Sequence, residues 1–118
     1  MYDEAFWQLL TTLVGSSTIN IDRPRGTAHP RYPDVIYPLD YGYLSGTTSG
    51  DGDGIDAWLG SQPERRINAI LITVDLTKRD SEIKLLIGCT SQEQQTILAF
   101  HNRSANQSAI LVERPARI

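Results

Sequence analysis

Phe6, Leu9, Leu10 and Leu13 recur at spacings of three and four, which predicts a helix over residues 3–14 with one apolar face. Asp3 is placed to cap it, and Gly15 to close it in a left-handed conformation. The period then changes. Thr18 to Asp22 sets Ile19 and Ile21 against Asn20 and Asp22, the alternation of a half-buried strand. Val35–Tyr37 and Tyr41–Leu44 read as short strands around the Pro38 bend, and Ile55–Leu59 as another. A turn at Ser61-Gln62-Pro63-Glu64 leads to Ile67–Leu76, the most continuous strand pattern, which pairs with Glu82–Cys89 through a hairpin at Thr77–Ser81. Ser91 opens a second helix with Gln94 as capping-box partner. Ile97, Leu98 and Phe100 form its apolar side, and it fades near Asn102. Ser108–Glu113 is a last strand, halted by Pro115.

Short strands between turn signals, with one helix near each end of the chain, predict a small α+β domain built on a closed or partly open barrel. With 118 residues there is room for one domain, 1–118, around one core. Between the strands lie two loops. Arg23–Pro38 holds four prolines and Gly26, a stiff irregular segment, whereas Gly46–Gly54 is a loop of Gly, Ser, Thr and Asp. A composition 40% hydrophobic and 21% charged is that of a soluble globule. The net charge of −3 and the absence of a Lys/Arg run speak against a nucleic-acid partner. No apolar run reaches the roughly 20 residues of a membrane helix, and Asp3 and Glu4 do not suit a signal peptide, so the expected setting is cytoplasmic. Cys89, the one cysteine, ends the apolar run Leu85-Leu86-Ile87 and reads as a buried structural thiol. The apolar face of the first helix covers either the sheet or a second copy of the chain in a homo-oligomer.

The chemistry concentrates between Tyr37 and Asp56. Asp51, Asp53 and Asp56 place three carboxylates within six residues, separated by Gly52 and Gly54, downstream of a tyrosine-rich arm. Such crowding costs Coulomb energy unless a cation is bound, and hard oxygen donors suit Mg²⁺, Mn²⁺ or Ca²⁺. An EF-hand is excluded. Counted from Asp51, its fifth, sixth and twelfth positions fall on Ile55, Asp56 and Gln62. The remaining readings are a solvated Asp-Gly turn or a glycine-relaxed turn that feeds its acids into one cluster at the start of a strand.

Tyr37-Pro-x-x-Tyr41-Gly-Tyr43, then seven residues, then Asp51-Gly-Asp53-x-x-Asp56 resembles the family I soluble inorganic pyrophosphatases in order and spacing. The resemblance spans Ile19 to Leu86 and is specific across Tyr37–Asp56. It implies an OB-like β-barrel, a Mg²⁺ cofactor with Mn²⁺ as the substitute, and hydrolysis of a small phosphoanhydride, pyrophosphate, to two phosphates. By matched position, Asp51 and Asp56 resemble metal-bridging aspartates, and Asp53 the carboxylate that deprotonates the attacking water. Tyr41 resembles the tyrosine beside metals and product phosphate. Glu82-Ile-Lys84 is similar to an Asp-x-Lys whose acid is a metal ligand and whose lysine binds phosphate. Asp22 falls where the family has a metal-side glutamate, and Arg31 where it has a substrate-binding lysine.

Departures from that pattern leave other readings open. Gly54 replaces a proline and is expected to loosen the acidic turn; a further family aspartate falls on Thr77; the chain is shorter than the usual bacterial enzyme. A Tyr-Lys pair that grips the outgoing phosphate has no match in His101–Ala105, and an upstream arginine falls on His29. His29, Arg31 and Arg25, from the proline loop, are the expected replacements. The alternatives are a metal-dependent hydrolase of a nucleotide-type phosphoanhydride and a non-catalytic domain that binds metal or phosphate.

Overall fold

In the computed structural model, which describes residues 3–116, the chain runs α1 (Glu4–Gly15), β1 (Ile19–Arg23), β2 (Asp40–Leu44), β3 (Asp56–Leu59), β4 (Ile67–Asp75), β5 (Asp80–Ile87), α2 (Ser91–His101) and β6 (Gln107–Glu113). The strands form one sheet in the order β1-β2-β3-β5-β4-β6. Every pairing is antiparallel except β3 with β5, because the β4–β5 hairpin enters the sheet with its second strand against β3. The α+β class is as expected. Closure is not, for β1 and β6 each pair on one side only, and the sheet is an open one among the described residues.

Alternation along the strands divides the apolar residues between two faces. On one face Ala57, Ile70, Leu85 and Ile87 pack with Trp7 and Val14 of α1. On the other, Trp58, Ala69, Leu71 and Leu86 pack with Ile97 of α2 and with Tyr37 and Leu39. The first helix therefore covers the sheet, although Leu9 stays largely exposed. Among the described residues no helix is long and apolar enough to cross a membrane.

Asp3 caps α1 by accepting from the Phe6 N–H. Gly15, however, keeps a negative φ inside the helix, and Ser16 makes the C-cap. At α2 the capping box lies one residue earlier than the sequence suggests: Thr90 is the N-cap and Glu93 its partner. Glu93 also accepts from the Ser61 N–H, so one carboxylate fixes both the helix and the turn after β3. The expected strand at Val35–Tyr37 reduces to a bridge between Ala28 and Ile36, since the proline loop folds back on itself through Tyr37 N–H to Thr27 and His29 N–H to Val35. Gly42 lies where β1 presses closest on β2; a Cβ there would run into the Asn20 carbonyl. That close approach explains a glycine between two tyrosines.

Candidate active site

Four polar side chains converge on the α2 side of the sheet. Ala57 pairs with Leu85, so Asp56 and Lys84, each one residue earlier on parallel strands, stand side by side. Glu82, two residues before Lys84, shares its face, and Tyr41 on β2 lies opposite Trp58. Lys84 is 6% exposed, and its Nζ donates to Tyr41 Oη at 2.9 Å, Asp56 Oδ2 at 2.9 Å and Glu82 Oε2 at 3.2 Å. Burial alone would discharge this ammonium, but Tyr41 and Asp56 outweigh it and hold its pKa above the usual lysine value. Burial raises the Tyr41 phenol further than Lys84 lowers it, so both groups keep their protons.

The acidic turn reaches the same cluster. Asp51 accepts from the Ser49 hydroxyl and from the Asp53 N–H at 2.9 Å. Ser49, Asp53 and Glu82 together hold the Asp51 pKa down at about 2. Burial raises Glu82 despite Lys84, and the nearby Asp51 carboxylate raises it further. Two carboxylates brought this close repel, and a cation between them relieves that repulsion. Among the described residues no three Asp, Glu, His or Cys side chains already converge tightly enough to hold an ion. The donor chemistry of Asp51, Glu82 and Asp56 nevertheless fits a hard divalent cation. Gly54 lies where a side chain has no room. The Tyr43 ring packs against it, and a Cβ there would lie 2.7 Å from Tyr43 Cδ2.

Tyr41 and Lys84 also form one wall of an adjoining cavity of about 520 Å³, into which His29, Arg31, Lys78 and Arg103 face. In a chain of net charge −3, this is a local concentration of positive charge. His29 Nδ1 accepts from the backbone N–H groups of Arg31 and Tyr32 at 3.0 and 3.3 Å, which places the ring proton on Nε2. Burial and then Arg23 lower its pKa, so the ring is neutral and offers one N–H donor. Arg103 lies 3.9 Å over the Phe100 ring and donates Nε to the Phe100 carbonyl at 2.9 Å, leaving its terminal N–H groups unbonded among the described residues.

No family model and no curated protein matches the chain by sequence. Solved structures do match it by shape. An inorganic pyrophosphatase from Neisseria gonorrhoeae superposes with a TM-score of 0.63 at 16% identity, covering 83% of this chain and 81% of that one. The Helicobacter pylori inorganic pyrophosphatase gives 0.56 at 15% identity, covering 82% of each chain. The one from Thermus thermophilus gives 0.54 at 18%, covering 83% of this chain and 81% of that one. The chain has the fold of the inorganic pyrophosphatases.

Within this pyrophosphatase fold, most of the residues singled out from sequence fall into two groups. Tyr41, Asp51, Asp56, Glu82 and Lys84 form the connected cluster; His29 and Arg31 line the cavity beside it. Asp53 supplies backbone bonds to the turn, and its carboxylate makes none to protein among the described residues. Asp22 sits exposed at a bulge between Ile21 and Arg23, where its field acts on the Tyr37 phenol; it makes no hydrogen bond to the cluster. Arg25 does not join His29 and Arg31. Its backbone is tied to Asp40 and its side chain faces a separate groove near Ser61 and Thr90. Lys78 and Arg103 take that place instead. Arg103 lies within His101–Ala105, where positive charge, and not a Tyr-Lys pair, is the signal in the sequence.

The same cavity wall includes His101, whose Nε2 accepts from the buried Trp58 indole at 3.1 Å. Burial, then Lys84 and Arg103, lower its pKa to about 3. The native state thus favours the neutral ring. Its contribution to stability is complete above the unfolded value near 6.5 and is lost as pH falls toward 3. Urea denaturation should show about 2 kcal/mol lost through this group between pH 7 and 5, at about 1.4 kcal/mol per pH unit below 6.5. His101→Gln should flatten that interval; an equal slope in the variant would assign the pH dependence elsewhere. Cys89 is inert by contrast, its thiol buried and pushed up to about 12.

Proposed function

We propose that the protein hydrolyses inorganic pyrophosphate to two phosphates with a divalent cation, Mg²⁺ in the first instance, as cofactor. One observation carries the reading: an acidic cluster and a cationic cavity meet at a shared wall of Tyr41 and Lys84. One side suits a cation, the other a polyanion. Asp51, Asp56 and Glu82 would hold the ion. When bound, it supplies positive charge for phosphoryl oxygens and makes nearby water more acidic. Asp53, free of side-chain partners, accepts the proton of the attacking water. Lys84 is held charged against the attacked phosphoryl group, and by donating to both Tyr41 and Asp56 it keeps the phenol and the carboxylate oriented. Arg31, Lys78 and Arg103 offset the charge that develops on the departing phosphate, and His29 Nε2–H donates to it.

That no trio of ligands is tightly gathered among the described residues favours a second reading, a domain that binds phosphate without hydrolysing it. Steady-state orthophosphate release from pyrophosphate separates the two. Turnover should require Mg²⁺, and Arg31→Ala and Arg103→Ala should each raise KM about tenfold, the scale of a lost charge-assisted hydrogen bond. Turnover indifferent to both arginines would remove the cavity from the reaction, and no turnover would leave the binding domain.

A further inference from the structure

We propose that the cavity beside Lys84 admits a phosphoanhydride whose leaving group carries a planar organic ring, in chemical class a nucleoside diphosphate, with Tyr32 as its stacking surface. This rests on the hydrolase reading above and deepens it by naming the leaving group. At about 520 Å³ the cavity lies within the roughly 300–1,000 Å³ range of sites that enclose drug-sized ligands. Two phosphoryl groups occupy a small part of that volume. The walls are also of two kinds. Lys84, Arg31, Lys78 and Arg103 suit phosphates, whereas the proline loop contributes Tyr32, a ring that a bare pyrophosphate does not use.

Tyr32 is prepared for a ring. It is 54% exposed, faces the cavity, and its hydroxyl bonds no protein group among the described residues. Its backbone is nonetheless fixed, with the N–H on His29 Nδ1 at 3.3 Å and the carbonyl accepting from Val35 N–H at 2.9 Å. The His29 ring braces it at 5.2 Å. His29 in turn stacks on Tyr37, and Tyr37 on Tyr41, so an aromatic row runs from Tyr32 to the acidic cluster. A rigid aromatic side chain stacks on a heterocycle with little ordering entropy left to lose. In this arrangement the terminal phosphate lies at the carboxylates and the nucleoside monophosphate fills the cavity. The water oxygen bonds to the terminal phosphorus, the bridging P–O bond breaks, and its electron pair leaves on the nucleoside monophosphate. One water proton passes to Asp53 and then to solvent; the other stays on orthophosphate.

The test measures orthophosphate release from pyrophosphate, ADP and UDP with Mg²⁺, in wild type, Tyr32→Ala and Tyr32→Phe. ADP and UDP should be hydrolysed. Tyr32→Ala should raise their KM roughly tenfold more than that for pyrophosphate, the scale of one lost base–aromatic stack, and Tyr32→Phe should restore it. Hydrolysis of pyrophosphate but of neither nucleotide overturns the inference and leaves the hydrolase reading standing. An equal effect of Tyr32→Ala on all three substrates overturns it as well. No hydrolysis of any of the three overturns the hydrolase reading, and the inference with it.

Discussion

Asp53→Asn is expected to slow orthophosphate release from pyrophosphate by about 10²–10⁴-fold, the range of a lost general base. The substitution is almost isosteric, and the turn does not depend on the carboxylate. Asp53 holds the turn through its main chain: the N–H donates to Asp51, and the carbonyl accepts from the Ser49 N–H at 2.7 Å and the Ser49 hydroxyl at 2.9 Å. Asparagine retains all three bonds and loses only the ability to take a proton. Metal affinity should therefore change little, since Asp51, Asp56 and Glu82 are the proposed ligands. The check is kcat beside a thermal melt. An unchanged melt with a rate within a few-fold of wild type would take Asp53 out of the chemistry.

Lys84→Met should cost about 3–5 kcal/mol of stability, the scale on which a buried ion pair stripped of one partner destabilises a fold. Side-chain exposures of 7% for Lys84, 13% for Glu82 and 29% for Asp56 place the charges largely out of water. Methionine fits the stem of lysine but leaves the Tyr41 hydroxyl and two carboxylates without their common donor. Urea denaturation measures the loss. Adding Glu82→Gln should recover part of it by removing one stranded acid, and Mg²⁺ should stabilise Lys84→Met more than wild type. A loss below about 1 kcal/mol, the range of an exposed pair, would mean the cluster is better hydrated than its burial indicates.

The helices and strands were legible because each carries its own period: Ile19 and Ile21 alternate, and Phe6, Leu9, Leu10 and Leu13 follow a helical spacing. Long-range relations were not. Nothing local to Asp56–Leu59 or Asp80–Ile87 says that they pair in parallel, yet that register puts Asp56 beside Lys84. Closure failed for the same reason, since alternation specifies a strand and not whether the two edges meet. The capping box slipped by one because Ser91-x-x-Gln94 and Thr90-x-x-Glu93 satisfy the same local rule; the contact of Glu93 with the distant Ser61 N–H accompanies the second. That Tyr43 fills the space beside Gly54 was not legible, because Tyr43 belongs to β2 and not to the loop. Tyr41, Asp51, Asp56, Glu82 and Lys84 were named through the resemblance to the pyrophosphatases, and the structure places them near one another. Their cationic neighbours Lys78 and Arg103 were missed, because a turn and a helix end bring them to the cavity without a motif.

The acids and cations meeting at Lys84 are proposed to cleave a phosphoanhydride with the help of a divalent ion. Phosphorus NMR of pyrophosphate incubated with the protein and Mg²⁺ tests this most directly. The pyrophosphate resonance should give way to orthophosphate over many turnovers, stop on addition of EDTA, and resume with excess Mg²⁺. A pyrophosphate signal that persists unchanged in the presence of folded protein and Mg²⁺ would rule out this hydrolysis.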